Sequence, residues 1–365
     1  MGDIFLSIRG RVTINVEALN MTESVGNYVK HRRVPTIIKG EGGYAVYFVP
    51  SISGESIAHG FQEVLANEAK KNGLPVCELC EKRIFLKSTN ENVISTTFLG
   101  KNKQKVHEWL EINNDEWNKA SNINNKKEKE RTKEEKVFLN EFLQNKLPFS
   151  MEKAIIKNCV VEDVGGFLYA EKKFNGFDVG GVKRTSNFYT GYLIPTREVI
   201  NSVVIEPQMH SRYALGTPFV QDKGQMIYYI ELSSAIYTFS FDLDTKFIGK
   251  TSFVYEKAGT EVVTNRKERL GITMDALYNF LVEFMFGAKK TRILPVIEWE
   301  SIVIAVSDDV WTVPSSFSNN YIDKAEKKAE RVNYNTKLFK YTGGPGFEDT
   351  IKQAIEEAKK RVGVI

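Results

Sequence analysis

The chain has 365 residues, 42% of them hydrophobic and 26% charged, with a formal net charge of +4. That is an ordinary globular composition with room for about two domains, and three cysteines in so long a chain exclude a disulfide framework and fit a reducing cytoplasm. No apolar run reaches the length of a membrane span, and Met1-Gly2-Asp3 leads into an alternating strand where a signal peptide would have an apolar core.

Residues 4–16 alternate through Ile4, Leu6 and Ile8, then Val12, Ile14 and Val16, which predicts a strand with a bulge near Gly10. A loop with a sharp turn at Gly26-Asn27 follows, then Lys30-His31-Arg32-Arg33, with no acid between Ser24 and Gly40. Residues 35–39 and 44–49 read as a hairpin turning over 40–43. Ser53 is placed to N-cap a helix over 54–72, which Gly73 and Pro75 stop. The cationic loop and the helix start at Ser53, Gly54 and Ser56 are thus two anion-binding devices joined by one hairpin.

Residues 101–136 hold nine Lys and one Arg against eight acids, with seven Asn. The near balance makes this a solvated, partly helical insertion and not a basic tail, with some packing capacity from Trp109, Leu110, Ile112 and Trp117. Further on, Gly180-Gly181 feeds the basic stretch Lys183-Arg184. His210 and Arg212 sit in an alternating segment, and 225–243 is the longest strand signal. A second amphipathic helix over 265–286 ends at Gly287, before Lys289-Lys290-Thr291-Arg292. A closing strand over 294–306 and helices over 325–331 and 349–362 complete the chain. The coarse order is a split βαββαβ, an α+β ferredoxin-like pattern interrupted by insertions. The same topology carries RNA in RNA-recognition domains, although the aromatic signature of a base-stacking platform is missing.

Other chemistry is weaker. Gly54-Glu55-Ser56-Ile57-Ala58 approaches a nucleophile elbow, but no later histidine sits where a hydrolase needs one. Cys77-Glu78-Leu79-Cys80 is one C-x-x-C, and neither Cys159 nor any His completes a ligand spacing; it reads as two thiols at a helix–loop junction with no metal, in preference to the alternative of a metal completed by His107 or Cys159. Gly249-Lys250-Thr251 lacks the upstream glycine of a phosphate loop. The recurring feature is basic clusters beside Gly, Ser, Thr or Asn, which is the mixture that grips phosphates.

Several stretches resemble a known family. They are Leu19-Asn20, Glu23 through Asn27, Lys30-His31-Arg32, Val49 through His59, Asp163 through Ala170, Arg184-Thr185-Ser186, Ser233 through Phe241, and Leu294-Pro295. Together they resemble the crRNA-binding backbone subunits of archaeal type I-A CRISPR Cascade, the DevR-like autoregulator group of the RAMP superfamily. The resemblance implies a modified RNA-recognition palm over 1–76 and 225–310, with a helical insertion over 77–152. It further implies a glycine-rich and thumb-hairpin region over 153–224 and a C-terminal helical segment over 311–365. It also implies copies stacked head to tail along a guide RNA, gripped by its backbone and left free to pair with target DNA beside other Cascade subunits. Carried over by position, the RNA contacts are Asn27, Lys30, His31, Arg32, Ser53, Gly54, Ser56, Lys183, Arg184, His210 and Arg212, with no cofactor and no membrane. A related branch cuts RNA with an Asp after its first strand. No Asp occurs here between Asp3 and Asp115, so no cleavage is expected. The competing expectations are a stand-alone RNA-binding regulator and a ribonuclease of the same superfamily.

Overall fold

Alternation in the first strand decides the architecture. β1 (Phe5–Glu17) turns Leu6, Ile8, Val12 and Ile14 to one face, and all four are completely buried. A computed structural model of the chain describes residues 2–40, 42–100, 106–213 and 225–365, with only the backbone of Glu23, Arg212, Tyr213, Gln225 and Met226. After β1 come β2 (Met21–Val25), β3 (Tyr28–His31), β4 (Arg33–Gly40), β5 (Gly43–Pro50) and α1 (Gly54–Lys71). The inserted part carries α2 (Glu78–Glu81), α3 (Glu91–Ile94), α4 (Val106–Trp109), α5 (Asn114–Asn125), α6 (Lys133–Glu141), α7 (Leu147–Asn158) and α8 (Val160–Gly165). Short strands β6 (Phe167–Tyr169), β7 (Lys173–Phe174), β8 (Phe177–Asp178), β9 (Val182–Arg184) and β10 (Phe188–Thr190) lead to β11 (Val204–Tyr213) and β12 (Gln225–Asp244). Then follow α9 (Arg266–Glu283), β13 (Val296–Ser307), α10 (Tyr321–Ala329), β14 (Thr336–Tyr341) and α11 (Phe347–Val362).

The main sheet runs β14-β13-β1-β12-β3-β2, with β10 and β11 also paired to β12. β1 lies antiparallel between β12 and β13. The bulge expected near Gly10 falls one residue later, where the β1–β13 register shifts between Arg11 and Val12. In chain order, β1, α1, β10, β12, α9 and β13 form a unit whose strands lie in the order β13-β1-β12-β10, each antiparallel to its neighbours. One face of this sheet packs on α1 and α9, with Phe61 edge-on to Phe188, Phe241 and Phe280. Burial of that many aromatic and aliphatic side chains is the main force holding the unit together.

One expectation is corrected and another is made specific. The C-terminal segment is not a helical appendage: β14 extends the sheet beyond β13, and Ile351, Ala354, Ile355 and Ala358 of α11 belong to the same core. The described part of the Lys/Glu/Asn-rich region, from residue 106 on, uses the packing capacity its apolar residues offered: Leu110, Ile112 and Trp117, with Val106, join Phe142, Phe167, Tyr169, Phe174 and Phe177 in a second core. Residues 101–105 lie outside the described residues. A third cluster, around Trp311 and Tyr321, covers the opposite face of β13 through Val303 and Ala305. Among the described residues no helix is long and apolar enough to cross a membrane.

Candidate nucleic-acid interface

The basic stretch after β1 is a hairpin, not the loop expected. β2 and β3 pair across the two-residue turn Gly26-Asn27, with Gly26 at φ 61°. The turn needs positive φ at its first central residue alone, which glycine enters freely. Asn27 also pins the hairpin to β12: its Nδ2 donates to Ile227 O at 2.9 Å, and its carbonyl accepts from Tyr229 N at 2.9 Å. β3 then runs parallel to β12 through Tyr28↔Tyr229 and Val29↔Ile230.

The hairpin separates two open grooves. One, of about 800 Å³, is lined by Asn27, His210, Tyr228, Lys289, Thr291 and Arg292. The other, of about 680 Å³, is lined by Thr22, Tyr28, Lys30, Arg32, Arg33 and Glu231. The loop carrying Lys289 and Arg292 is held against Leu19, two residues before β2, because Ala288 N donates to Leu19 O at 2.8 Å. Neither Lys289 nor Arg292 forms an ion pair among the described residues. His210 stacks on Tyr228 with ring centroids 5.3 Å apart, and its Nε2 is buried without a hydrogen-bond partner there. In the second groove, Arg32 Nε is likewise buried and unpartnered, while its Nη1 donates to Tyr192 Oη at 3.4 Å. Arg33 is committed to Glu231, at 2.7 Å.

Ser53 caps α1 as expected, accepting from Ser56 N at 3.4 Å. Its own N–H is taken by Asn20 Oδ1 at 2.6 Å, and Gly54 packs so tightly on Thr190 that an added Cβ would meet Thr190 O at 2.8 Å. The helix start therefore offers Ser56, partly exposed, while Ser53 and Gly54 are covered. Lys183 is exposed on a separate shallow groove of about 330 Å³ shared with Lys87. Arg212 lies in β11 opposite Met226, and its side chain falls outside the described residues.

Two expected RNA contacts are internal instead. Arg184 is completely buried in its side chain and donates to Asp163 Oδ1 at 2.6 Å, Glu152 Oε1 at 3.0 Å and three backbone carbonyls. The second oxygen of Asp163 takes Arg269 at 3.0 Å, so this network ties α8, β9 and α9 together. His31 is also buried, its Nε2 2.5 Å from Glu17 Oε1 and its Nδ1 2.9 Å from Arg32 O. Tyr237 Oη and Ser233 Oγ donate to the same Glu17 oxygen.

Burial alone would push the His31 imidazole down, but the Glu17 hydrogen bond and charge outweigh it and leave its pKa raised. Burial pushes Glu17 up, and its bonds to His31, Ser233 and Leu19 N overcome that, so its pKa is lowered. The folded state thus holds the His31 proton more tightly than the unfolded chain, and stability falls as pH rises from the unfolded imidazole value, about 6.5, through the folded one. For Glu17 the contribution is present above the unfolded carboxylate value and is lost as pH falls through the folded one. We expect the denaturant midpoint to decline between about pH 6.5 and the folded His31 pKa. The decline should flatten in a His31→Gln variant, and an unchanged pH profile in that variant would show that another group is responsible.

Sequence reading missed Lys289 and Arg292 as partners of the hairpin. The cluster itself was visible, as cations after Gly287 with no acid nearby. Its closeness to Asn27 depends on a contact with Leu19 that no local pattern records.

The family model described as "CRISPR-associated negative auto-regulator DevR/Csa2" matches residues 8–326, from β1 into α10. The chain belongs to the DevR/Csa2 family. It is 31% identical to "CRISPR-associated protein Cas7/Csa2 1" of Saccharolobus solfataricus over 317 residues, covering 86% of this chain and 82% of the relative. It is 32% identical, over the same shares, to the "CRISPR-associated aCascade subunit Cas7/Csa2 2" of that organism. "CRISPR-associated protein Cas7/Cst2/DevR" of Methanocaldococcus jannaschii is 24% identical over 90% of this chain and 89% of its own. In fold, the DevR/Csa2 chain is similar to one from a solved "CRISPR RNA-guided surveillance complex, pre-nicking", with TM-score 0.52 and 10% identity, covering 97% of this chain and 100% of that one. β14 and α11 lie beyond the matched residues of the family model, although they are part of the common core.

Proposed function

We propose that this chain is a backbone subunit of a CRISPR RNA-guided complex that binds guide RNA along its phosphates and stacks head to tail into a filament. The observation that carries the reading is the β2–β3 hairpin flanked by two cation-lined grooves, each with one buried nitrogen lacking a partner, Arg32 Nε and His210 Nε2. Such groups suit phosphate and ribose oxygens. The strand order β13-β1-β12-β10 with α1 and α9 on one face supports an RNA-recognition palm of split βαββαβ topology. The ribbon formed by β11 and the first half of β12 serves as the thumb.

The guide contacts in this reading are Asn27, Lys30, Arg32, Ser56, Lys183, His210 and Arg212, joined by Lys289 and Arg292. Self-association is supported by the β4–β5 ribbon, which leaves Ile37, Tyr44, Val46 and Phe48 more than half exposed. Apolar side chains in that number along one ribbon are the kind of surface that a further copy covers. The chain is proposed to hold RNA without cutting it, because no Asp follows β1 before Asp115. The test is assembly on single-stranded RNA of graded length, read by sedimentation. The number of bound chains should rise stepwise with RNA length. A chain that remains a monomer on long RNA is a stand-alone regulator, and metal-dependent cutting abolished by one substitution would make it a nuclease.

A further inference from the structure

The cysteines that looked unconnected in the sequence meet in the fold. Cys77 and Cys80 flank the start of α2, and Cys159 is the junction between α7 and α8. The two segments are tied by Val160 N donating to Pro75 O at 2.9 Å. The three sulfurs lie within 4.8 Å of one another, none is in a disulfide, and all three residues are buried. Three thiolates around one tetrahedral ion with metal–sulfur bonds near 2.3 Å would sit about 3.8 Å apart, so a small contraction suffices.

A fourth donor stands beside them. Cys80 Sγ donates to Glu162 Oε1 at 2.9 Å, and that oxygen also accepts from Leu86 N at 3.0 Å. The other oxygen, Glu162 Oε2, is buried with no hydrogen-bond partner among the described residues, on a side chain with no exposed surface. A buried carboxyl oxygen with nothing to bind is costly, and three thiols do not neutralise it. Lys87 Nζ donates to Gly165 O at 2.6 Å, placing a positive charge near the end of the same short helix.

We propose that Cys77, Cys80, Cys159 and Glu162 form a structural site for a zinc-like divalent ion. Soft sulfur donors in a closed, buried, four-donor set select such an ion over magnesium or calcium. On binding, the three thiols lose their protons to solvent and Glu162 binds as carboxylate, with no change in oxidation state. The ion would join the two ends of the inserted region at its base.

The test uses the full chain. Purified from zinc-containing medium without chelator, it should carry about one zinc per chain by elemental analysis. Exchange for cobalt should give the thiolate-to-cobalt charge-transfer absorption, and excess chelator should remove it. Cys77→Ser with Cys80→Ser should abolish both the zinc and the absorption. Glu162→Gln should keep the absorption but weaken cobalt binding by tenfold or more, in line with the loss of one metal-facing group. If the double variant does not fold, the wild-type cobalt spectrum decides alone. Folded wild type that shows no such absorption, a Cys77–Cys80 disulfide in the native protein, or zinc retained by the double variant would each overturn the site.

Discussion

Replacing Lys289 and Arg292 together by Ala should weaken binding of single-stranded RNA by about 10- to 100-fold at low salt, from the loss of two charged contacts. Both cations face the groove beside Asn27 and His210, and neither is neutralised by a described acid. Each phosphate contact releases counterions, so log affinity against log salt should also flatten by about 1.4 for the pair. Replacing Lys30 and Arg32 on the other side of the hairpin should act in the same direction, with a smaller effect on slope, because Glu231 already sets part of that groove's charge against them. The two double variants combined should lose more than either alone. All of these positions are at least partly exposed, so the unfolding midpoint should stay within about 0.5 kcal/mol per substitution. Filter binding across a salt series measures this. Unchanged affinity and slope in the Lys289/Arg292 variant would remove that groove from the RNA path.

The second large effect concerns stability. Arg184→Ala should destabilise the fold by about 3–5 kcal/mol, because it leaves Glu152 and Asp163 buried with fewer partners. It also releases the carbonyls of Phe247 and Lys250 and of Asp163 itself. Against a total of roughly 5–15 kcal/mol this is a large share. The neighbouring change, Lys183→Ala, should shift the midpoint by no more than about 0.5 kcal/mol, because Lys183 is exposed. Denaturant unfolding followed by circular dichroism separates the two. Equal midpoints for the two variants would mean that the Arg184 network does not hold α8, β9 and α9 together.

That pair also shows what the sequence could and could not reveal. Lys183 and Arg184 are equivalent as letters beside a glycine pair. They part company because β9 alternates, sending one side chain to solvent and the other toward Asp163 and Glu152, which are supplied by different helices. His31 differs from Lys30 for the same reason: its partner Glu17 sits at the end of β1, beyond any local pattern. By contrast, β1, α1, α9 and the β4–β5 ribbon were legible, since their periodicity, their glycine stops and the Ser53 cap are local signals. β2 and β3 were not, because strands of five and four residues with polar sequences carry little alternation. β14 escaped for a related reason: its six residues bury only Phe339, with Leu338 and Tyr341 partly buried, which is too short a pattern to read.

β12 is a single strand of 20 residues that belongs to two structures at once. Its second half pairs with β1 in the sheet, and its first half pairs with β11 in the ribbon, in a register unbroken from Val204↔Ser234 to Tyr213↔Gln225. There is no joint between the halves. A single inserted or deleted residue in the ribbon half would send every later side chain to the opposite face, turning His210 or its stacking partner Tyr228 away from the groove. The ribbon can therefore change length only in paired steps of two residues per strand, about 6.6 Å each. Its reach is set in discrete increments, like the teeth of a rack, and intermediate lengths are closed to it.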